Sequence, residues 1–166
     1  MPIPDFIVEL RKKIGTDPLW LPGVKAVVLR ESTHAQGESN MLEVLLVQRA
    51  DNGKWTLPAG ILEPGEEPAL GCAREVLEET GIEARVTRLA GIATTDPMVY
   101  PNGDRAQYLD IIFGLEYVSG EAHVADDENL NVQWCAVDAL PEDCPPKHRR
   151  AIEWALDKSP APKFVV

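Results

Sequence analysis

The chain has 166 residues, enough for one domain with a sizeable core, and its 45% apolar and 26% charged residues are ordinary for a globular protein. A net charge of −11 argues against non-specific binding to nucleic acid polymers or anionic membranes. Three cysteines without metal-ligand spacing, no basic-then-apolar leader and no apolar run of about 18 residues lead us to expect reduced thiols, a cytoplasmic location and no membrane span.

In chain order, residues 4–14 have the pattern of a short amphipathic helix. Phe6, Ile7, Leu10 and Ile14 share one face, and Gly15 stops it. Asp17-Pro18 and Pro22-Gly23 then read as breaks. Val24–Arg30 is β-branched and predicts a central strand, separated by the polar stretch 31–40 from a second strand, Met41–Gln48, with which it forms a hairpin. His34, in that polar stretch, reads as solvated. Residues 49–53 are a turn, and 54–58 a short strand.

Beyond the central helix described next, residues 83–94 predict a strand with an irregularity at Gly91. Residues 95–104 are a structured loop holding Pro97, Tyr100 and Pro101. A long strand over 107–118 and an acidic loop over 120–131 follow. A last strand over 132–137 and a final helix over 147–156 precede a tail read as loosely held.

The informative stretch is Gly60–Ile82. Pro68 at the start and Gly81 past the end bracket a helix. Ala69, Leu70, Ala73, Val76 and Leu77 recur at three- and four-residue steps and predict the buried stripe. Glu75, Glu78 and Glu79 then fall on the opposite side. Like charges at these spacings repel by roughly 0.2–0.5 kcal/mol per pair, and acids near a helix C-terminus oppose its dipole. Arg74 is one counter-charge against three carboxylates. A hard divalent cation such as Mg2+ or Mn2+ would offset the rest. A solvated glutamate-rich face is the alternative.

Gly60, Glu66, Arg74-Glu75-Val76, Glu78-Glu79 and Gly81-Ile82 match every fixed position of the Nudix box, at its spacing. Seven specified residues coincide by chance at roughly one start site in 10^8. The chain thus resembles the Nudix hydrolases. The resemblance implies an α/β fold, an α/β/α sandwich around a mixed sheet, in one domain over 1–166 with an N-terminal helical extension to about residue 20. That helix would pack on its own domain or across a homodimer.

The same resemblance implies metal-dependent cleavage of a pyrophosphate bond in a nucleoside diphosphate joined to another group. Glu75, Glu78, Glu79 and the Gly60 carbonyl would hold Mg2+ or Mn2+, and Arg74 would keep the glutamates in register. Glu66 would stabilise the loop-to-helix junction, with backbone roles for Gly65 and Gly81. Asp127 or Glu128, just before the last strand, would serve as general base if a box glutamate does not; Asp126 reads as solvated. Arg49 is a candidate phosphate contact, and Tyr100, Tyr108 and Trp20 are candidates to stack on a base.

Pro97, 15 residues beyond Ile82, resembles a marker of ADP-ribose pyrophosphatases in this family. ADP-ribose or a nucleoside diphosphate sugar is therefore the first substrate expectation. Nucleoside triphosphates, oxidised ones included, come second. A nucleotide-sensing protein without catalysis is the alternative of another class.

Overall fold

The computed structural model describes residues 3–32 and 41–166. His34 lies outside the described residues. Twelve elements occur among them, in the order α1 (Asp5–Ile14), β1 (Leu19–Glu31), β2 (Leu42–Arg49), β3 (Trp55–Thr56), β4 (Ala59–Ile61), α2 (Pro68–Thr80), β5 (Glu83–Thr94), β6 (Met98–Val99), β7 (Arg105–Ser119), β8 (Asn129–Ala136), α3 (Pro146–Leu156) and β9 (Lys163–Phe164).

The strands form one mixed sheet ordered β3-β2-β1-β7-β5-β9, with β4 beside β1, β6 beside β7 and β8 beside β2. At its centre β1 and β7 run parallel over eleven registered pairs, from Leu19 opposite Ala106 to Leu29 opposite Glu116. Alternation along β1 feeds two cores. Val24, Ala26 and Val28 pack with Cys72 and Val76 of α2, whereas Val27 packs with Ala151, Ile152 and Ala155 of α3. A helix thus covers each face, which is the α/β/α sandwich.

Three sequence expectations change. β1 does not break at Pro22-Gly23. It begins at Leu19 because β7 offers a continuous partner there, and a proline is tolerated where only its carbonyl is needed: Pro22 O accepts from Leu62 N at 3.2 Å. The loop after β5 contains a two-residue strand, β6, paired with the start of β7. The C-terminal tail is not loose throughout, since β9 adds in parallel to β5, with Gly91 opposite Lys163.

α1 packs on its own chain. Ile7 is buried against Leu21 and Ala106, beside Phe6, Ile61, Tyr100 and Tyr108. Arg11 ties its C-terminal end down, donating to Asp17 O at 2.6 Å and to Arg105 O at 2.8 Å. All three cysteines are free and buried. Among the described residues no helix is long and apolar enough to cross a membrane.

Candidate active site

The box helix α2 has the predicted ends. Pro68 is its first residue, and Gly81 follows its last in the left-handed region, at φ 69°. Its rotation about its own axis differs from the prediction. Leu70 and Leu77 are exposed, while Glu75 and Glu79 are buried, at 1% and 6% exposure. The core-facing residues are Cys72, Glu75, Val76, Glu79 and Thr80, a stripe at helical spacing that hydrophobicity alone misassigns.

The reason is Gly60 in β4. A side chain there would overlap the Glu75 carboxylate, so the bare backbone of β4 makes the hollow that Glu75 fills. Neither Glu75 oxygen accepts a hydrogen bond, and Glu79 Oε2 is likewise buried without one. Arg74 Nη1 stands 2.9 Å from Glu75 Oε1, within ion-pair distance but without hydrogen-bond alignment.

Arg74 is committed elsewhere. Its Nε and Nη2 hold both oxygens of Glu66, at 2.7 and 2.9 Å, and its Nη1 donates to Glu78 at 3.1 Å. Glu66 Oε2 also accepts from Glu63 N at 3.1 Å, which fixes the turn into the helix. Gly65 occupies that turn at φ 84°. Glu78 keeps 45% of its side chain exposed.

Electrostatics follow the burial. Desolvation is the largest influence on Glu75 and carries it up to about 7, with Arg74 opposing. Desolvation, then the charges of Glu75 and Asp126, push Glu79 well above the usual carboxylate range. Buried carboxyls without hydrogen bonds, packed against the bare Gly60 backbone, are oxygen donors suited to a hard cation. Among the described residues no three His, Cys, Asp or Glu side chains form a ready-made metal group. Two carboxylates are enough for magnesium, which ordinarily completes its shell with water and substrate phosphate.

The acidic loop is clamped to the end of α2. His123 N donates to Thr80 O at 3.0 Å and Ala125 N to Glu79 O at 3.3 Å. Asp126, expected to be merely solvated, organises the turn. Its Oδ1 accepts from Glu128 N and Asn129 N, both at 3.2 Å, and from Asn129 Nδ2 at 3.1 Å. Asp127 and Glu128 are exposed. Glu128 contributes to the field at both Glu79 and Arg49.

Arg49 is held by Asp51 through two hydrogen bonds, at 2.9 and 2.6 Å. Tyr100 and Tyr108 join hydroxyl to hydroxyl at 2.7 Å and are partly buried beside α1. Pro97 lies one residue before β6, and Trp20 is 56% exposed on β1. The sequence reading missed Lys25, Asp110 and His148. Lys25 Nζ donates to Asp110 Oδ2 at 2.6 Å between β1 and β7, and His148 Nδ1 accepts from Leu57 N at 3.1 Å. A lysine amid the β-branched run and an aspartate inside a strand were the available signals.

Comparison with known proteins gives the class. The NUDIX domain family matches residues 20–155. A MutT-like protein of Streptomyces ambofaciens is 37% identical over 125 residues, covering 75% of this chain and 70% of its own. A candidate 8-oxo-dGTP diphosphatase of Bacillus subtilis is 30% identical over 134 residues, covering 81% and 78%. A crystal structure of a UDP-X diphosphatase superposes with a TM-score of 0.62 at 24% identity, over 91% of this chain and 68% of that one, a likeness of fold. The chain belongs to the Nudix family. By class it is a pyrophosphohydrolase acting on nucleotide-derived small molecules. α1 lies before the matched span.

Proposed function

We propose that the chain hydrolyses the phosphoanhydride bond of a nucleoside diphosphate linked to a second group, with Glu75, Glu79 and the Gly60 carbonyl holding Mg2+ or Mn2+ and Glu78 available from the rim. The observation that carries this reading is the pair of buried carboxylates, with three oxygens lacking hydrogen bonds, packed against a glycine backbone. When bound, the cation supplies charge neutralisation for phosphate oxygens and acidifies water.

Within this chain, Arg74 and Glu66 lock the helix start and keep the glutamates from splaying. Glu128 takes up the proton of the attacking water at its carboxylate. It is favoured over Asp127 because it stands in the electrostatic reach of both Glu79 and Arg49. Arg49 orients a phosphate oxygen, with Asp51 fixing its guanidinium plane. Tyr100 and Tyr108 offer a flat wall for a base, and Pro97 shapes the loop that leads to them.

ADP-ribose or a nucleoside diphosphate sugar is the first substrate reading. A (d)NTP, an oxidised one included, is the second, and similarity to the Bacillus subtilis protein favours it. The packing of α1 on its own chain supports a complete site within one chain. A homodimer is compatible with it.

The test incubates purified protein and magnesium with ADP-ribose, nucleoside diphosphate sugars and a dNTP panel including 8-oxo-dGTP, with Glu79→Gln as control. AMP and ribose 5-phosphate formed from ADP-ribose by the wild type alone support the first reading. Nucleoside monophosphate and pyrophosphate from the triphosphates alone replace it with the second. Turnover that persists in Glu79→Gln overturns the assignment of the site.

A further inference from the structure

The acidic loop between β7 and β8 caps α2. The last carbonyls of a helix have no partner within it. At the end of α2 this loop takes two of them, Thr80 O by His123 N at 3.0 Å and Glu79 O by Ala125 N at 3.3 Å. The loop is thereby registered on Glu79, whose side chain is buried. Ala122 packs against the core that holds Cys72 and Val76.

Two glycines let the chain come this close. Gly81 and Gly120 both lie at positive φ, 69° and 100°. A side chain on Gly120 would overlap Gly81 O, and one on Gly81 would overlap the imidazole of His123. The His123 ring therefore rests directly on the Gly81 backbone. Its Nδ1 stands 2.8 Å from Glu121 O. A carbonyl only accepts, so Nδ1 carries a proton and donates, which fixes the plane of the ring. His123 is exposed and belongs to none of the three hydrophobic cores.

The other end of the loop is anchored as well. Asn129 is buried, and its Nδ2 donates to both oxygens of Asp126, at 3.1 and 3.2 Å. Glu128 O accepts from Ala50 N at 2.8 Å, in the turn after β2. Asp126, Asp127 and Glu128 thus lie between a seat on α2 and a seat beside Arg49. Asp126 and Glu128 both act on the charge of Glu79, which places the loop within electrostatic reach of the cradle.

We infer that His123 is a positioning residue for the hydrolytic reaction: seated on Gly81, its ring latches the acidic loop to the end of α2 and sets the distance from the Glu128 carboxylate to the glutamate cradle. The role of Glu128 rests on the proposed function; the latch does not.

The test is a double-mutant cycle on kcat and KM, with ADP-ribose and 8-oxo-dGTP as probes and magnesium present. It compares the wild type, His123→Ala, Glu128→Gln and the double variant. On whichever probe the wild type hydrolyses, His123→Ala should lower kcat at least tenfold and leave KM within twofold. His123→Phe, which restores a flat ring over Gly81, should stay within threefold of the wild type. In the Glu128→Gln background His123→Ala should cost less than twofold more, since the carboxylate it acts through is already gone. Amide exchange gives a readout free of turnover: Ala125 N–H should exchange at least tenfold faster in His123→Ala, with the β1 and β7 amides unchanged.

An unchanged kcat, a His123→Phe as slow as His123→Ala, losses that multiply when Glu128→Gln is itself slow, or an Ala125 amide that exchanges as in the wild type would overturn the inference. Should His123→Ala not fold, His123→Gln, which keeps a donor for Glu121 O but no ring, is judged by the same results. A fully active Glu128→Gln beside a slow His123→Ala would count against the proposed base and leave the latch of the loop standing. If neither probe is turned over, the proposed reaction fails and the amide exchange alone decides the latch.

Discussion

Two groups of buried charge lie on either side of Gly60, and they are handled differently. Lys25 and Asp110 bury opposite charges at 2.6 Å, so each satisfies the other. Glu75 and Glu79 bury like charges; Arg74 stands 2.9 Å from one Glu75 oxygen, yet three of the four carboxylate oxygens accept no hydrogen bond. The first arrangement is complete without a ligand. The second is costly as it stands, and under the proposed function a cation would offset that cost. The closed pair therefore needs nothing further, and the open carboxylates are where we place the cation of the proposed reaction.

The largest expected effect falls on the open side. Glu79→Gln should lower turnover at least a thousandfold, about 4 kcal/mol of barrier. Its metal-free melting temperature at neutral pH should hold or rise, because an amide avoids the cost of burying or protonating a carboxylate. A variant that lost activity by unfolding would break the comparison.

On the closed side, Lys25→Met should destabilise the protein by about 3 kcal/mol, since it strands the Asp110 carboxylate in the interior. The double variant Lys25→Met/Asp110→Leu should recover most of that loss, as read by denaturant unfolding. If the double variant is as unstable as the single one, the pair does not act as a closed unit.

The two groups also differ in pH dependence. Glu75 is raised to about 7 in the folded, metal-free protein, chiefly by burial, and Glu79 is raised as well. The folded state therefore binds protons more tightly than the unfolded chain. The stability this confers is fully present below the ordinary carboxylate range and is lost as pH rises toward the folded values. Metal-free protein should lose about 2 kcal/mol between pH 5 and pH 8 from Glu75, and Glu75→Gln should flatten that slope in chelator-treated melts. The smallest effect belongs to the exposed pair Arg85–Glu116, where Arg85→Ala should change stability by less than about 0.5 kcal/mol.

The ends of α2 were legible because Pro68 and Gly81 act through local backbone geometry. The glutamates were legible as a set because their spacing is a motif. The direction they face was not. Counting apolar residues placed Leu70 and Leu77 inside, whereas the hollow over Gly60 is shaped by β4, and no helix-local signal reports it. Functional sites are where a sequence breaks its own burial pattern. The early start of β1 and the docking of β9 were hidden for a related reason, since each depends on a partner strand distant in sequence. His148 is a lone histidine whose partner, Leu57 N, lies 91 residues away.

The most direct measurement is Mn2+ binding at pH 7.5, by calorimetry or by loss of the free-ion electron paramagnetic resonance signal, for the wild type, Glu75→Gln and Glu79→Gln. The open-carboxylate account predicts that the wild type binds Mn2+ with proton release and that each variant binds at least tenfold more weakly. Three proteins with the same affinity, or a wild type that binds none, would contradict it.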